Sequence, residues 1–316
     1  MSHPIIRFVQ TLMSWQVAQR LLCGLLGLSL ALLPLMQPGW AGDPFRLQNP
    51  RNISAASEQV FYAMFRDGDY VAARDALANA EASAADDPLF HALEGALAYL
   101  EADWDTLAAK AALTEQTAAR LTNTDPLRSN LYEAVGIFLE GAHILQTEGI
   151  AQGTPKALGM LQQVFDHMET AESIAPQDPE LSLLKGYMDL LLAVNLPFAN
   201  PEGAITQLQD YGYPTYVAYR GIALGYRDLD RDAEALEAAE VALAAAPENP
   251  DLLYLKAQLL RRLERKTESI EYFDQALTYA DQLPSNTLRQ LAFERCHAGG
   301  QDRQVCRQQV NDQYGV

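Results

Sequence analysis

Histidine, cysteine and arginine mark the places where this chain could do chemistry. Glu140 and His143 are spaced Glu-x-x-His, which sets a carboxylate and an imidazole on one face of a helix. Di-iron bundles use that motif in pairs, and here it occurs once. Asp166 and His167 on the following helical segment could add ligands for a single divalent ion. A solvated polar face explains the same residues without a metal, and that is the reading adopted. No phosphate-binding Gly-x-x-x-x-Gly-Lys loop, Gly-x-Gly-x-x-Gly run or Gly-x-Ser-x-Gly elbow occurs. The sequence therefore predicts no catalytic residue, no cofactor and no metal ligand. The alternative is an enzyme or metal carrier with its site in the irregular stretch 126–211.

The cysteines and arginines point elsewhere. Cys296 and Cys306 flank Gly299-Gly300. A tight turn there would bring two short helices together and let the thiols bridge, if the chain reaches an oxidising compartment. Two unrelated thiols is the other reading. Arg220, Arg227, Arg261 and Arg262 form a local basic group in a chain of net charge −18. Arginine is favoured at binding hot spots, so a ligand-facing role stands beside that of ordinary solvated helix charge.

The elements that must carry these residues are legible. Tyr219, Ile222, Ala223, Tyr226 and Leu229 share one helical face, and Leu253, Lys256, Ala257, Leu260 and Leu263 repeat the offsets 34 positions on. A polar turn follows each set. Then come Ala235, Ala239 and Ala242 in the first copy, and Ser269, Phe273 and Ala276 in the second. Small residues sit where paired helices must approach, Ala223 against Ala235 and Ala257 against Ser269. An oxygen-bearing residue precedes proline at Asp87-Pro88, Asp125-Pro126, Thr154-Pro155, Asp178-Pro179, Asn200-Pro201 and Asn249-Pro250, a helix-start signal. The spacing predicts hairpins from Ser54 onward. In the middle it predicts a long loop at Glu148–Gly153, a helix from Pro155 with Leu158, Leu161, Phe165 and Met168 as its apolar stripe, and a helix stop at Pro197. A capping helix from Ser285 to about His297 and a short helix over Arg303–Asn311 close the chain.

A period of 34 with this alternation of large and small residues resembles the tetratricopeptide repeat (TPR) over residues 54–281. The resemblance implies an all-α, right-handed helical solenoid with irregular middle repeats and a C-terminal capping helix. It implies protein or peptide binding in a concave groove lined by the first helices. Carried over by position, the groove residues are Tyr62, Leu89, Ala92, Tyr99, Leu183, Tyr187, Arg220, Leu224, Arg227, Tyr254, Gln258, Arg261 and Arg262. Repeats that clamp a chaperone's terminal carboxylate use Lys and Asn at set positions. Arg220 fits one of these, but Leu183, Tyr187, Leu224, Tyr254 and Gln258 do not fit the others.

Residues 1–41 are different material. Arg7 and Arg20 lie in an acid-free stretch, Leu21 to Met36 carries no charge, and Gly39-Trp40-Ala41 suits cleavage after Ala41. An uncleaved anchor is the rival reading. Either way the body is expected beyond a membrane, in a periplasm or thylakoid lumen. Cys23, at the start of the apolar run, is not placed as a lipoprotein cysteine. Residues 42–53 read as a linker, 54–281 as the solenoid, and 282–316 as cap and tail. Past the leader, 21 cations face 41 acids, which argues against nucleic acid and anionic lipid as partners of a broad basic surface. The leader and layout are also similar to exported or membrane-tethered TPR proteins of cyanobacteria, which implies a part in assembling a thylakoid complex.

Overall fold

Side-chain oxygens and prolines lay out the helices. The computed structural model describes residues 42–195 and 200–315. The export signal expected in residues 1–41, with Cys23, and the stop expected at Pro197 lie outside the described residues. The protein is all-α, with no strand among the described residues. In chain order come α1 (Ala55–Phe61, running on as a π turn over Tyr62–Asp67), α2 (Tyr70–Ala84), α3 (Pro88–Glu101), α4 (Trp104–Ala119), α5 (Pro126–Glu148), α6 (Ile150–Ile174) and α7 (Pro179–Asn195). Then follow α8 (Pro201–Tyr211), α9 (Thr215–Asp228), α10 (Asp232–Ala245), α11 (Pro250–Arg262), α12 (Lys266–Leu277), α13 (Ser285–Ala298) and α14 (Arg303–Tyr314). Consecutive helices pack as pairs, α1 with α2 through to α13 with α14.

The caps do what the dipeptides suggest. Asp87, Asp125, Asn200 and Asn249 accept a hydrogen bond from a first-turn N–H, and proline fills the first helical position. Asp178 does the same for Glu180 and Leu181. Each such cap contributes about 1 kcal/mol. The close-approach positions also behave as expected: Ala223, Ala235, Ala257 and Ser269 are fully buried, and the Ser269 hydroxyl donates to the Ala257 carbonyl at 2.8 Å.

The Thr154-Pro155 start does not hold. Helix α6 begins at Ile150 and Pro155 lies inside it. The long loop expected at Glu148–Gly153 reduces to Gly149, whose φ of +78° reverses the chain within one residue. Gly153 then packs against the backbone of α5, where a Cβ would sit 3.0 Å from the Ile144 carbonyl oxygen. The apolar stripe of α6 holds toward its C-terminal end, where Met168 is buried with Val164, which was not expected, beside it; Leu161 and Phe165 are half-buried, and Leu158 is exposed.

Residues 42–53, read as a linker, are held against the helices. Phe45 and Ile53 are buried, and Phe45 meets Phe61 edge-on at 4.9 Å. The same stretch brings Arg46 and Arg51 to the acidic caps. Arg46 pairs with Asp43 at 2.7 Å, with Asp178, and with Glu180 at 3.4 Å. Arg51 pairs with Asp178 at 2.8 Å and with Asp125. Arg128, 3 % exposed, bridges Asp87 at 3.3 Å and Glu180 at 3.4 Å, and the Tyr132 hydroxyl donates to Glu180 at 2.6 Å. Three caps from successive hairpins thus converge on three arginines.

The chain also closes over long range. Asn249, the cap of α11, donates to the carbonyls of Phe65 and Arg66 at 3.0 and 3.1 Å. The Tyr70 hydroxyl donates to Asp251, and Asn286 donates to the Leu100 carbonyl at 2.8 Å. Gly68, with φ +65°, sits where a Cβ would meet the Pro250 ring at 2.6 Å.

Candidate functional site

The residues expected to face a partner fall into separate groups. The 34-residue offset places Arg227 on α9 beside Gln258 on α11, and the guanidinium donates to the Gln258 amide oxygen at 3.5 Å. The Gln258 amide nitrogen donates to both oxygens of Glu294 on α13, at 3.1 and 3.2 Å. Tyr254 lies one turn before Gln258, its ring 6.0 Å from that of Phe273. Its hydroxyl and Nε of Arg261 are shut off from solvent without a hydrogen-bond partner. Burial, and then the charge of Glu294, raise the Tyr254 phenol above its usual range. The cluster joins two guanidinium groups, an amide, a phenol and one carboxylate. Glu294 comes from the capping helix, outside the repeats, so repeat spacing could not supply it.

Other expected residues are placed differently. Arg262 is tied to Asp230 at 2.7 Å, to Asp232 at 2.5 Å and to the Arg227 carbonyl, so its guanidinium is already committed. Leu183 is in the core, and Leu224 is half-buried against it. Tyr187 lies on Gly221, and its hydroxyl donates to the Val217 carbonyl at 2.7 Å. Burial pushes that phenol up to about 12, so it stays a donor. Tyr62 lies under the Arg66 guanidinium at 4.5 Å. Leu89 and Ala92 are buried in α3.

Tyr99 and Arg220 belong to a feature that the sequence reading missed. A cavity of about 750 Å³ lies between α3, α5, α6 and α7, with Met64 and Phe65 of the π turn, Tyr70 and Arg220 also in its wall. Tyr99, Phe138, Leu158 and Leu191 line it and are 40 %, 37 %, 61 % and 51 % exposed. Large apolar side chains so exposed along one cleft mark a binding surface more readily than scattered ones do. A sequence signal existed: Leu190–Val194 is apolar all round its helix, which is more than one core-facing stripe can bury.

The Glu140–His143 motif gains no matching pair. His167 instead faces Glu133 at 3.4 Å and Asn130 at 3.1 Å. Burial, and then Glu140 and Glu133, raise the pKa of Glu115 nearby. Among the described residues no group of three or more His, Cys, Asp or Glu is placed to hold a metal ion. Cys296 and Cys306 are joined by a disulfide, with Cα atoms 5.6 Å apart, that ties α14 to α13. Among the described residues no helix is long and apolar enough to cross a membrane.

In comparisons with known proteins, no protein-family model matches the chain, and no curated protein does so either. Function has to be argued from the chemistry of these surfaces.

Proposed function

We propose that the protein is a non-enzymatic scaffold built as a TPR-like right-handed solenoid, and that it holds a segment of a protein partner on the surface formed by Arg227, Tyr254, Gln258 and Arg261. Pairwise helix packing and the 34-residue offset support the solenoid reading. On this reading the leader carries the body across a membrane, and the scaffold serves the assembly of a larger membrane complex. The likeness in layout to exported cyanobacterial repeat proteins makes a thylakoid complex the first partner to try.

One observation carries the proposal. Arg261 is a half-buried guanidinium with no ion pair and no hydrogen bond among the described residues, in a chain holding 41 acids against 23 bases. A cation left uncommitted beside Tyr254 and Arg227 is suited to a carboxylate or main-chain carbonyl of an incoming segment. Aromatic and arginine anchors of this kind dominate interface energetics. Glu294 restricts the fit, because a purely anionic segment would meet it.

The test is capture from extracts of the source cell with the wild-type protein and with Arg261→Ala as bait. The partner held by wild type should be retained at least about fivefold less by the variant, equivalent to ~1 kcal/mol. Equal retention by a variant with unchanged helix signal would remove this surface from the function.

A further inference from the structure

The apolar cavity carries an inference of its own, independent of the partner surface. Arg220 is the one charged residue in its lining. All the others are apolar or neutral, including Leu145, Leu161, Val164 and Met188. A guanidinium is poorly placed against such a wall unless its donors are occupied, since burying polar groups without hydrogen bonds is unfavourable. Arg220 has five N–H donors. Among the described residues its one charged partner is Asp251, at 3.6 Å, beyond hydrogen-bond reach. Asp251 is already engaged, accepting from the Tyr70 hydroxyl at 2.5 Å. The Arg220 side chain stays 29 % accessible and makes no hydrogen bond to another described side chain, so it can take a ligand in place of water.

The charge on Arg220 is secure. Burial opposes it, but Asp251 and then the two phenols Tyr70 and Tyr187 hold the guanidinium pKa above its usual value. Two further features specify what could fill the space. The volume, about 750 Å³, falls within the range of sites that bury a single ligand. The exposed side chains along the cleft are bulky and apolar, so the route in favours a chain without polar groups.

We propose that this cavity binds a long-chain fatty acid, or an amphiphile of the same build, with its alkyl chain along the α3–α5–α6–α7 wall and its carboxylate on Arg220. The planar fork of the guanidinium can hold a carboxylate through two parallel hydrogen bonds, which a neutral head cannot form. Each methylene buried adds to the affinity, so chain length sets affinity and the head sets selectivity.

Calorimetric titration of the full chain with hexadecanoic acid and its methyl ester tests this. The acid should bind one per protein and at least tenfold more tightly than the ester. Arg220→Gln should bring the two ligands to equal affinity, and Leu158→Glu, at an exposed position where folding is little affected, should weaken both. No binding of the acid by wild type would overturn the proposal. So would equal affinity for acid and ester in wild type, or a preference for the acid that survives in Arg220→Gln. Should Arg220→Gln fail to fold, the wild-type comparison and Leu158→Glu decide alone. An apolar peptide that binds the cavity while the acid does not would likewise refute it. Partner capture through Arg261 is measured separately, so either reading can fail without the other.

Discussion

Arg128 is where a single substitution should be felt most. It is almost fully buried and serves Glu180 and Asp87, which are themselves buried. Burial disfavours its charge, and Glu180, Tyr132 and Asp87 more than restore it. Removing one partner from such a group leaves the others charged or strained in a dry site, at a cost of about 3–5 kcal/mol. Arg128→Met should therefore lower the free energy of unfolding in a urea titration by that amount. A loss under 1 kcal/mol would show that the cluster is better solvated than its burial indicates. The cap aspartates were legible as Asp-Pro dipeptides, each with a local role. That three of them share arginines was not, because Arg46 and Arg51 sit in a stretch whose glycine, prolines and asparagines read as a turn-rich link.

Between elements, the fit of neighbouring helices rests on residues without side chains. Gly221 on α9 accepts the ring of Tyr187 from α7, and an added Cβ would sit 2.6 Å from that ring. The ring cannot swing aside cheaply, because its hydroxyl is bonded to Val217. Gly221→Ala should destabilise the protein by roughly 1–3 kcal/mol through overpacking, read as a lower urea midpoint with an unchanged slope. A neutral result would place the α7–α9 contact further apart than described. Gly186 has the matching role within its own hairpin, where a Cβ would meet Leu208 at 2.5 Å. Repeat spacing missed Gly221, since that glycine packs toward the preceding hairpin and not within its own. The α5–α6 turn was missed for a related reason. Pro155 looked like a helix start, yet Gly149 had already turned the chain, and the helix runs on through the proline without the backbone hydrogen bond that its nitrogen cannot donate.

Across the whole molecule, the all-α architecture and most helix starts were readable because caps and apolar periodicity are local signals. The long-range closure was not, because Asn249 reads only as a cap until Phe65 and Arg66 are placed beside it. Neither was the apolar cavity, which needs four helices in position before Phe138, Leu158 and Leu191 share a surface. The proposed partner surface lies between these cases: Arg227, Tyr254, Gln258 and Arg261 follow from the 34-residue spacing, and Glu294 does not. The proposal that a protein partner sits on this surface can be checked by placing a photo-crosslinking amino acid at Gln258, and at the exposed Val241 on α10 as a control, in the cell that makes the protein. A discrete protein adduct is expected from position 258 and none from 241. Adducts of equal yield at both positions, or from 241 alone, would contradict it.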